Sequence, residues 1–383
     1  MTASARVADA PLPAEAWDER LMAAALSLGR RNLGRTRPNP SVGALIVNTQ
    51  GDRPIVVGRG FTAIGGRPHA ETEALNAAGE AARGATLYVT LEPCAHHSRT
   101  PPCADAILAA GIARVVVAME DPNPRVQGQG IAQLREAGVA ITLGIGAAAA
   151  RIAHAGHTRR FVHGRPHVIL KLAVAADGKT GLAGRRPASI SCEESRAEAH
   201  MLRATSDAVL VGVGTVMADD PRLNCRLPGM SDRSPLRIVL DGGLRIPLQS
   251  KLVRTAKEIS LWIVARQDAA GEAEAPLKSA GCEVIRVAAG ADGKVDLGAA
   301  LRYLCARGIT RLLVEGGPII SAALVKSDLV DEAVIVCSPT PLGADAIPAL
   351  EGMPLEALVE SQKFKLIDRR RVGVDTLLRL FRS

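Results

Sequence analysis

The sequence predicts an α/β protein of two domains, on three observations. Strand-like and helix-like segments alternate through both halves, 383 residues exceed one ordinary core, and Gly164-Arg165-Pro166 interrupts the rhythm near the middle. The boundary is placed there, giving domains over 1–164 and 165–383.

In the first half a helical stretch near Glu15 to Arg31 leads into strands at Val42–Asn48 and Ile55–Gly60. Then follow a helix at His69–Ala78, a strand at Thr86–Leu91, a helix at Cys103–Ala110, a strand at Arg114–Met119, a helix at Gln129–Ala137 and a strand at Val139–Leu143. An opening hairpin followed by βαβ units predicts a mixed sheet sandwiched between helices. Gly146–Arg160, with four consecutive alanines, reads as one connecting helix.

The second half predicts strands at His167–Ala175, Ala208–Val213, Arg237–Asp241, Leu261–Ala265, Glu283–Val287, Arg311–Glu315 and Glu332–Cys337. Helices are expected near Glu193–Thr205, Leu297–Arg307 and Pro318–Lys326. The halves share an α/β rhythm but no repeated motif.

Composition narrows the function. The net charge of +8 divides evenly, +4 in residues 1–164 and +4 in 165–383, and eight aromatic residues leave little for base-stacking platforms. Anionic small-molecule substrates suit such a chain better than nucleic acid. Met1 to Ala16 has no apolar signal core and no stretch approaches a membrane span, so the cytoplasm is expected and no membrane partner. Seven irregularly spaced cysteines make no disulfide framework; Cys192, Cys225, Cys282, Cys305 and Cys337 read as small fillers.

Cys94 and Cys103 are different. With His69 they offer one imidazole and two thiolates, a set that holds Zn²⁺ and leaves a fourth position for water. Each follows a proline near a helix start, where exposed backbone N–H groups favour thiolate over thiol. Glu71, two residues from His69, is placed to carry protons to a substrate and is not a ligand. Taken singly, each of these residues is as readily a cap or a buried filler. The set, with its prolines and helix starts in agreement, points to a hydrolytic zinc site.

His69-Ala70-Glu71 with Pro93-Cys94 resembles the zinc-dependent nucleoside and nucleotide deaminase family. That family usually places its second cysteine three residues after the first, whereas here Cys103 lies nine beyond Cys94. The longer spacing is similar to the deaminase half of the bifunctional riboflavin-biosynthesis deaminase-reductases, as are Arg37-Pro38-Asn39-Pro40-Ser41-Val42-Gly43 and Asp121-Pro122-Asn123-Pro124. The resemblance implies a cytidine-deaminase-like three-layer α/β/α domain, with Asn39 and Asn123 lining a pyrimidine pocket. His96 and Arg99, in the loop between the cysteines, would meet the 5′-phosphate of a ribotide. Thr62 departs from the pattern, since the family often has a histidine there.

Val211-Gly212-Val213-Gly214-Thr215 and Val314-Glu315-Gly316-Gly317-Pro318 each join a strand to a helix through glycines, a weak signal of phosphate binding. With Lys171 to Lys179, Leu202-Arg203-Ala204 and Ala218-Asp219-Asp220-Pro221, they resemble the reductase half of the same family. This implies a dihydrofolate-reductase-like fold that uses NADPH. Carried over residue by residue, the resemblance assigns Ala173, Ser189, Thr215, Asp219, Gly242, Gly317, Pro318, Ile319, Ile320, Ser321, Ala322 and Ala323 to the cofactor. It assigns Lys171, Pro187, Arg203, Leu223, Arg226 and Glu315 to the substrate. Pro187, Ser189 and Gly242 depart from residues common in the family, which weakens this site relative to the first.

The reading is a bifunctional enzyme. It would deaminate 2,5-diamino-6-(5-phosphoribosylamino)pyrimidin-4(3H)-one and then reduce the ribosyl group to ribityl with NADPH. A homo-oligomer is compatible with the sequence. One rival is a nucleic-acid base deaminase, against which the even charge, the scarce aromatics and the long cysteine loop all speak. Another is an active deaminase joined to a degenerate, non-catalytic reductase fold, which Ser189 keeps open.

Overall fold

The computed structural model describes residues 14–49, 53–96, 101–186 and 188–383. The chain divides into two compact units, Met1–Val162 and His163–Ser383.

The first unit is built on β1 (Gly43–Asn48), β2 (Ile55–Phe61), β3 (Thr86–Val89), β4 (Arg114–Val117) and β5 (Ala140–Leu143). Among the described residues these form one sheet in the order β2-β1-β3-β4-β5. β1 runs antiparallel to both β2 and β3, while β3, β4 and β5 are parallel, as an opening hairpin followed by βαβ units requires. Alternate side chains point to opposite faces. Ile46, Leu87, Val89, Val115 and Val117 pack with Ala74, Ile107 and Leu134 from α2 (Ala70–Ala78), α3 (Cys103–Ala109) and α4 (Gln129–Glu136). Leu45, Val47, Tyr88 and Val116 pack on the other face with Met22, Leu26 and Ala150 from α1 (Ala14–Gly29) and α5 (Ala147–Ala153). The result is three layers, with β3 buried throughout.

Close approach of α2 to β2 depends on two glycines. A Cβ at Gly58 would sit 2.3 Å from the Ala74 carbonyl oxygen, and one at Gly60 would sit 2.0 Å from that of Ala70. Side chains there would push away the helix turn that carries Glu71.

The single connecting helix expected over Gly146–Arg160 is two helices, α5 and α6 (Ala155–His163). The break falls at His154, at φ −98° and ψ 15°, whose buried ring meets the Thr90 hydroxyl at 3.1 Å. A run of alanines carries no trace of such a tertiary contact.

The second unit contains β6 (His167–Val174), β7 (Lys179–Gly181), β8 (Ala208–Gly212), β9 (Leu236–Leu240), β10 (Leu261–Arg266), β11 (Glu283–Val287), β12 (Arg311–Val314), β13 (Glu332–Cys337), β14 (Ile347–Pro348), β15 (Phe364–Val372) and β16 (Asp375–Arg382). Among the described residues nine of them form a sheet in the order β11-β10-β9-β8-β12-β6-β13-β16-β15, and β7 pairs with β14. The stretch from β11 to β13 is parallel, and the β15–β16 hairpin closes it antiparallel. Two apolar layers cover the faces, one around Val168, Leu210 and Leu312, the other around Ile169, Val209 and Leu313.

Helices α7 (Glu193–Ala204), α8 (Val213–Asp219), α9 (Lys251–Arg254), α10 (Glu274–Ser279), α11 (Leu297–Ala306), α12 (Pro318–Lys326) and α13 (Glu356–Val359) complete the unit. The sequence reading omits α9, α10, α13 and the C-terminal hairpin. In β15 three consecutive arginines, Arg369 to Arg371, sit on a largely exposed edge and erase the apolar alternation that marks a half-buried strand.

Candidate functional site

In the first unit the expected ligands converge. His69 Nδ1 lies 3.3 Å from Cys103 Sγ and 3.7 Å from Cys94 Sγ. All three ligand atoms fall within 4.8 Å of one another. A tetrahedral zinc with bonds of about 2.3 Å to sulfur and about 2.0 Å to nitrogen spaces its ligand atoms roughly 3.5–3.8 Å apart. The set therefore fits zinc in both donor type and spacing.

Local structure explains the convergence. His69 is the N-cap of α2, and Cys103 is the first residue of α3 behind Pro102. Cys94 lies in irregular chain after β3, yet it too addresses the start of α3. Its sulfur accepts the Cys103 amide at 3.4 Å and its carbonyl accepts the Ala104 amide at 3.1 Å.

The two thiols are driven in opposite directions, Cys94 toward the thiolate and Cys103 toward keeping its proton. The hydrogen bond from Cys103 holds the Cys94 thiol down to about 4. The same bond, with burial, pushes Cys103 far up. A metal cation held by the two sulfurs would displace that proton. Burial pushes the Glu71 carboxyl up to about 7, with His69 opposing, and Cys103 is one of its hydrogen-bond partners. A carboxyl poised there exchanges protons at neutral pH.

Asn39 and Asn123 are tied to the segments that carry the ligands. Asn39 donates its side-chain amide to the Gly66 carbonyl at 2.8 Å, three residues before His69. Asn123 belongs to a turn fastened to Glu92, two residues before Cys94. Glu92 is buried, and its carboxylate accepts the backbone amides of Asp121, Gly128, Gly130 and Ile131 at 3.0–3.2 Å. Gly130 permits this closeness, since a Cβ there would sit 1.9 Å from the Pro93 carbonyl oxygen. His96 is exposed just beyond Cys94, and Arg99 lies outside the described residues. Thr62, the departure from the family pattern, is buried, and its hydroxyl accepts the Val42 amide at 2.9 Å.

In the second unit a cleft of ≈ 1290 Å³ opens where Gly212, Leu240, Arg266 and Glu315 mark the carboxyl ends of parallel strands. That is where open α/β sheets bind ligands. Ala173, Thr215, Asp219, Gly242, Gly317, Pro318, Ile319, Ile320 and Ala323 line it, as do Lys171 and Glu315. Ser321 and Ala322 are buried in α12, and Ser189 is exposed and not among the lining residues, although Ala188 is. Pro187 lies outside the described residues.

Arg203 grips Glu315 with two parallel bonds, Nε to Oε1 at 2.6 Å and Nη2 to Oε2 at 2.7 Å, and donates from Nη1 to the Asn224 carbonyl at 3.1 Å. Burial opposes ionisation of Glu315, but Arg203 outweighs it and holds the carboxyl below its usual range. Burial drives Lys171 down, with Glu315 opposing. Leu223, at φ +53°, and Arg226 lie on either side of Asn224, whose carbonyl meets the half-buried Arg203–Glu315 pair.

Sequence reasoning missed Glu92 and the cations Arg245, Arg266 and Lys294 in the cleft lining. Only the last three carried a signal, as basic residues near glycines after predicted strands.

Comparison with known proteins gives two family matches. Residues 15–119 match the cytidine and deoxycytidylate deaminase zinc-binding region, and residues 166–378 match the RibD C-terminal domain. The riboflavin biosynthesis protein RibD of Escherichia coli K12 is 38% identical over 95% of this chain and 99% of its own length. Acinetobacter baumannii RibD is similar in structure, with a TM-score of 0.82, 36% identity, and coverage of 97% of this chain and 100% of that one. The Thermotoga maritima diaminohydroxyphosphoribosylaminopyrimidine deaminase/5-amino-6-(5-phosphoribosylamino)uracil reductase also gives a TM-score of 0.82, at 30% identity, covering 96% of this chain and 99% of that one.

Proposed function

The chain belongs to the RibD family, a deaminase and a reductase of riboflavin biosynthesis in one polypeptide, and we propose the residues and substrates through which it performs both reactions. Its first unit has the cytidine-deaminase fold and its second the RibD reductase fold. The substrate of the first is 2,5-diamino-6-(5-phosphoribosylamino)pyrimidin-4(3H)-one, and that of the second is its deaminated product, 5-amino-6-(5-phosphoribosylamino)uracil.

The convergence of His69, Cys94 and Cys103 beside buried Glu71 carries the first assignment. Those three residues would hold zinc, which when bound supplies Lewis acidity at neutral pH. Glu71 takes a proton from the attacking water, passes it to the ring nitrogen, and returns a proton to the departing amine, so that water and aminopyrimidine leave as oxopyrimidine and ammonia. Asn39 and Asn123 orient the ring, while His96 and Arg99 address the 5′-phosphate.

In the second unit NADPH supplies the hydride when bound. The glycine turn at Gly316-Gly317 and the start of α12 would receive its pyrophosphate, with Thr215 and Asp219 beside them. Arg245, Arg266 and Lys294 line the Gly242 end of the cleft and suit the additional phosphate of NADPH over NADH. Arg203, Glu315 and Lys171 hold the ribotide, Lys171 nearest the ribose.

No helix among the described residues is long and apolar enough to cross a membrane. The seven cysteines are free, which suits a reducing cytoplasm.

The test is purified protein with the diaminopyrimidine ribotide, following ammonia and NADPH separately. Ammonia release without NADPH, then NADPH oxidation once the deaminated ribotide accumulates, is expected. Ammonia with no oxidation at millimolar cofactor would replace the reductase assignment with a degenerate second unit.

A further inference from the structure

The deaminase family match ends at residue 119, but the first unit continues to residue 162. The continuation reaches both asparagine loops. His157, on α6, is buried, and its Nε2 lies 2.8 Å from Asp121 Oδ1. A carboxylate only accepts, so Nε2 carries the proton. The same Oδ1 accepts the Asn123 amide at 2.8 Å, which makes Asp121 the pin of the Asn123 turn. Among the described residues its carboxylate thus joins the turn to one helix ring, while its amide is held by Glu92.

Three residues along α6, Arg160 donates from Nη1 to the Pro38 carbonyl at 2.8 Å. Pro38 immediately precedes Asn39. The two side chains share a helix face and are braced by Phe161, whose ring meets His157 edge-on at 4.9 Å and lies under the Arg160 guanidinium at 5.3 Å. One turn earlier His154 fixes the start of α6 to Thr90, whose hydroxyl also accepts the Gly43 amide at 3.1 Å. Helix α6 therefore holds a strut to each loop, with its own base anchored to the sheet.

We propose that His157 is a positioning residue of the deaminase, with Arg160 as its companion: together they set the spacing between the loops that present Asn123 and Asn39 to the pyrimidine. This rests on the reading that those asparagines line the pocket. Neither side chain belongs to the zinc set, so loosening the loops costs ring binding more than it costs the proton transfers of Glu71.

The test uses the full chain and follows ammonia release for His157→Ala, His157→Gln, Arg160→Ala and Asn123→Ala, with zinc content and melting temperature measured on the same preparations. His157→Ala is expected to raise KM about tenfold, the scale of one hydrogen bond of about 1.4 kcal/mol, while kcat stays within about threefold and zinc is retained. In His157→Gln the side-chain amide nitrogen reaches the place of Nε2 and returns KM to within about threefold of the parent. Arg160→Ala raises KM by roughly threefold.

If Asn123→Ala leaves KM unchanged, the pocket reading fails and the proposal falls with it. If Asn123→Ala raises KM and His157→Ala does not, the positioning role alone is overturned. Joint loss of zinc, kcat and melting temperature in His157→Ala, without rescue by glutamine, also overturns it, because the ring then serves only the fold. Should His157→Ala not fold, Arg160→Ala decides, an unchanged KM counting against the clamp.

Discussion

The two sites divide chemical labour differently between protein and bound group. In the first unit the three clustered donors and the carboxylate proposed to carry the reaction are all side chains of the chain itself. In the second, a cleft lined by glycine turns reaches Glu315 of the Arg203–Glu315 ion pair, and on the proposed reading the reacting hydride belongs to the cofactor. A site that supplies its own chemistry tolerates no substitution at its centre. One that supplies shape and field degrades by degrees.

Removing a zinc ligand tests that contrast most severely. Cys94→Ser or Cys103→Ser should reduce ammonia release to background and lower bound zinc from about one per chain. NADPH oxidation by the same protein, supplied with the deaminated ribotide, should persist. Loss of both activities together would dissolve the distinction.

Glu71→Gln is expected to keep zinc but lower deamination by about 10²–10⁴-fold, the range for a general acid–base group. Metal analysis beside steady-state rates checks it. A variant that loses zinc would make Glu71 a ligand.

Acid should weaken the second unit through a residue outside its cleft. Burial alone would push the Glu332 carboxyl up, yet the His167 hydrogen bond and Arg379 hold it down to about 2, from an ordinary value of 4.5. Its contribution to stability is then full above about pH 4.5 and is lost as pH falls through about 2. Urea unfolding across that window should show the slope, and Glu332→Gln should remove much of it.

The smallest effect is expected at Arg245, which is 68% exposed and lies 3.9 Å from Asp241. Arg245→Ala should weaken NADPH binding about two- to fivefold and leave NADH unchanged, the scale of an exposed charge pair. Titration with each nucleotide decides it; equal weakening of both would move the extra phosphate elsewhere in the cleft.

Legibility followed distance along the chain. His69 and Glu71 stand two apart at one helix start, and each cysteine follows a proline, so local spacing was enough. Glu92 takes amides 29 to 39 residues away, His157 reaches back 36, and Arg160 reaches back 122. No periodicity reports such partners. In the second unit the strand-to-helix glycines were visible, and family likeness named Arg203 and Glu315 singly, but their bidentate pairing across 112 residues was not foreseen. The β15–β16 hairpin escaped because an edge strand of consecutive arginines looks like a solvated loop.

Glu92 also gives the first unit a direction in time. As the chain is synthesised, His69, Cys94 and Cys103 all emerge before Gly128, Gly130 and Ile131, whose amides clasp the Glu92 carboxylate. The helix bearing His157 follows later still. A nascent chain stopped at residue 119 holds all three residues proposed to bind zinc and none of the amides that the Glu92 carboxylate accepts. By then the Glu92 amide can already donate to the Met119 carbonyl, so the backbone tie to the sheet is available first and the carboxylate clasp is added last.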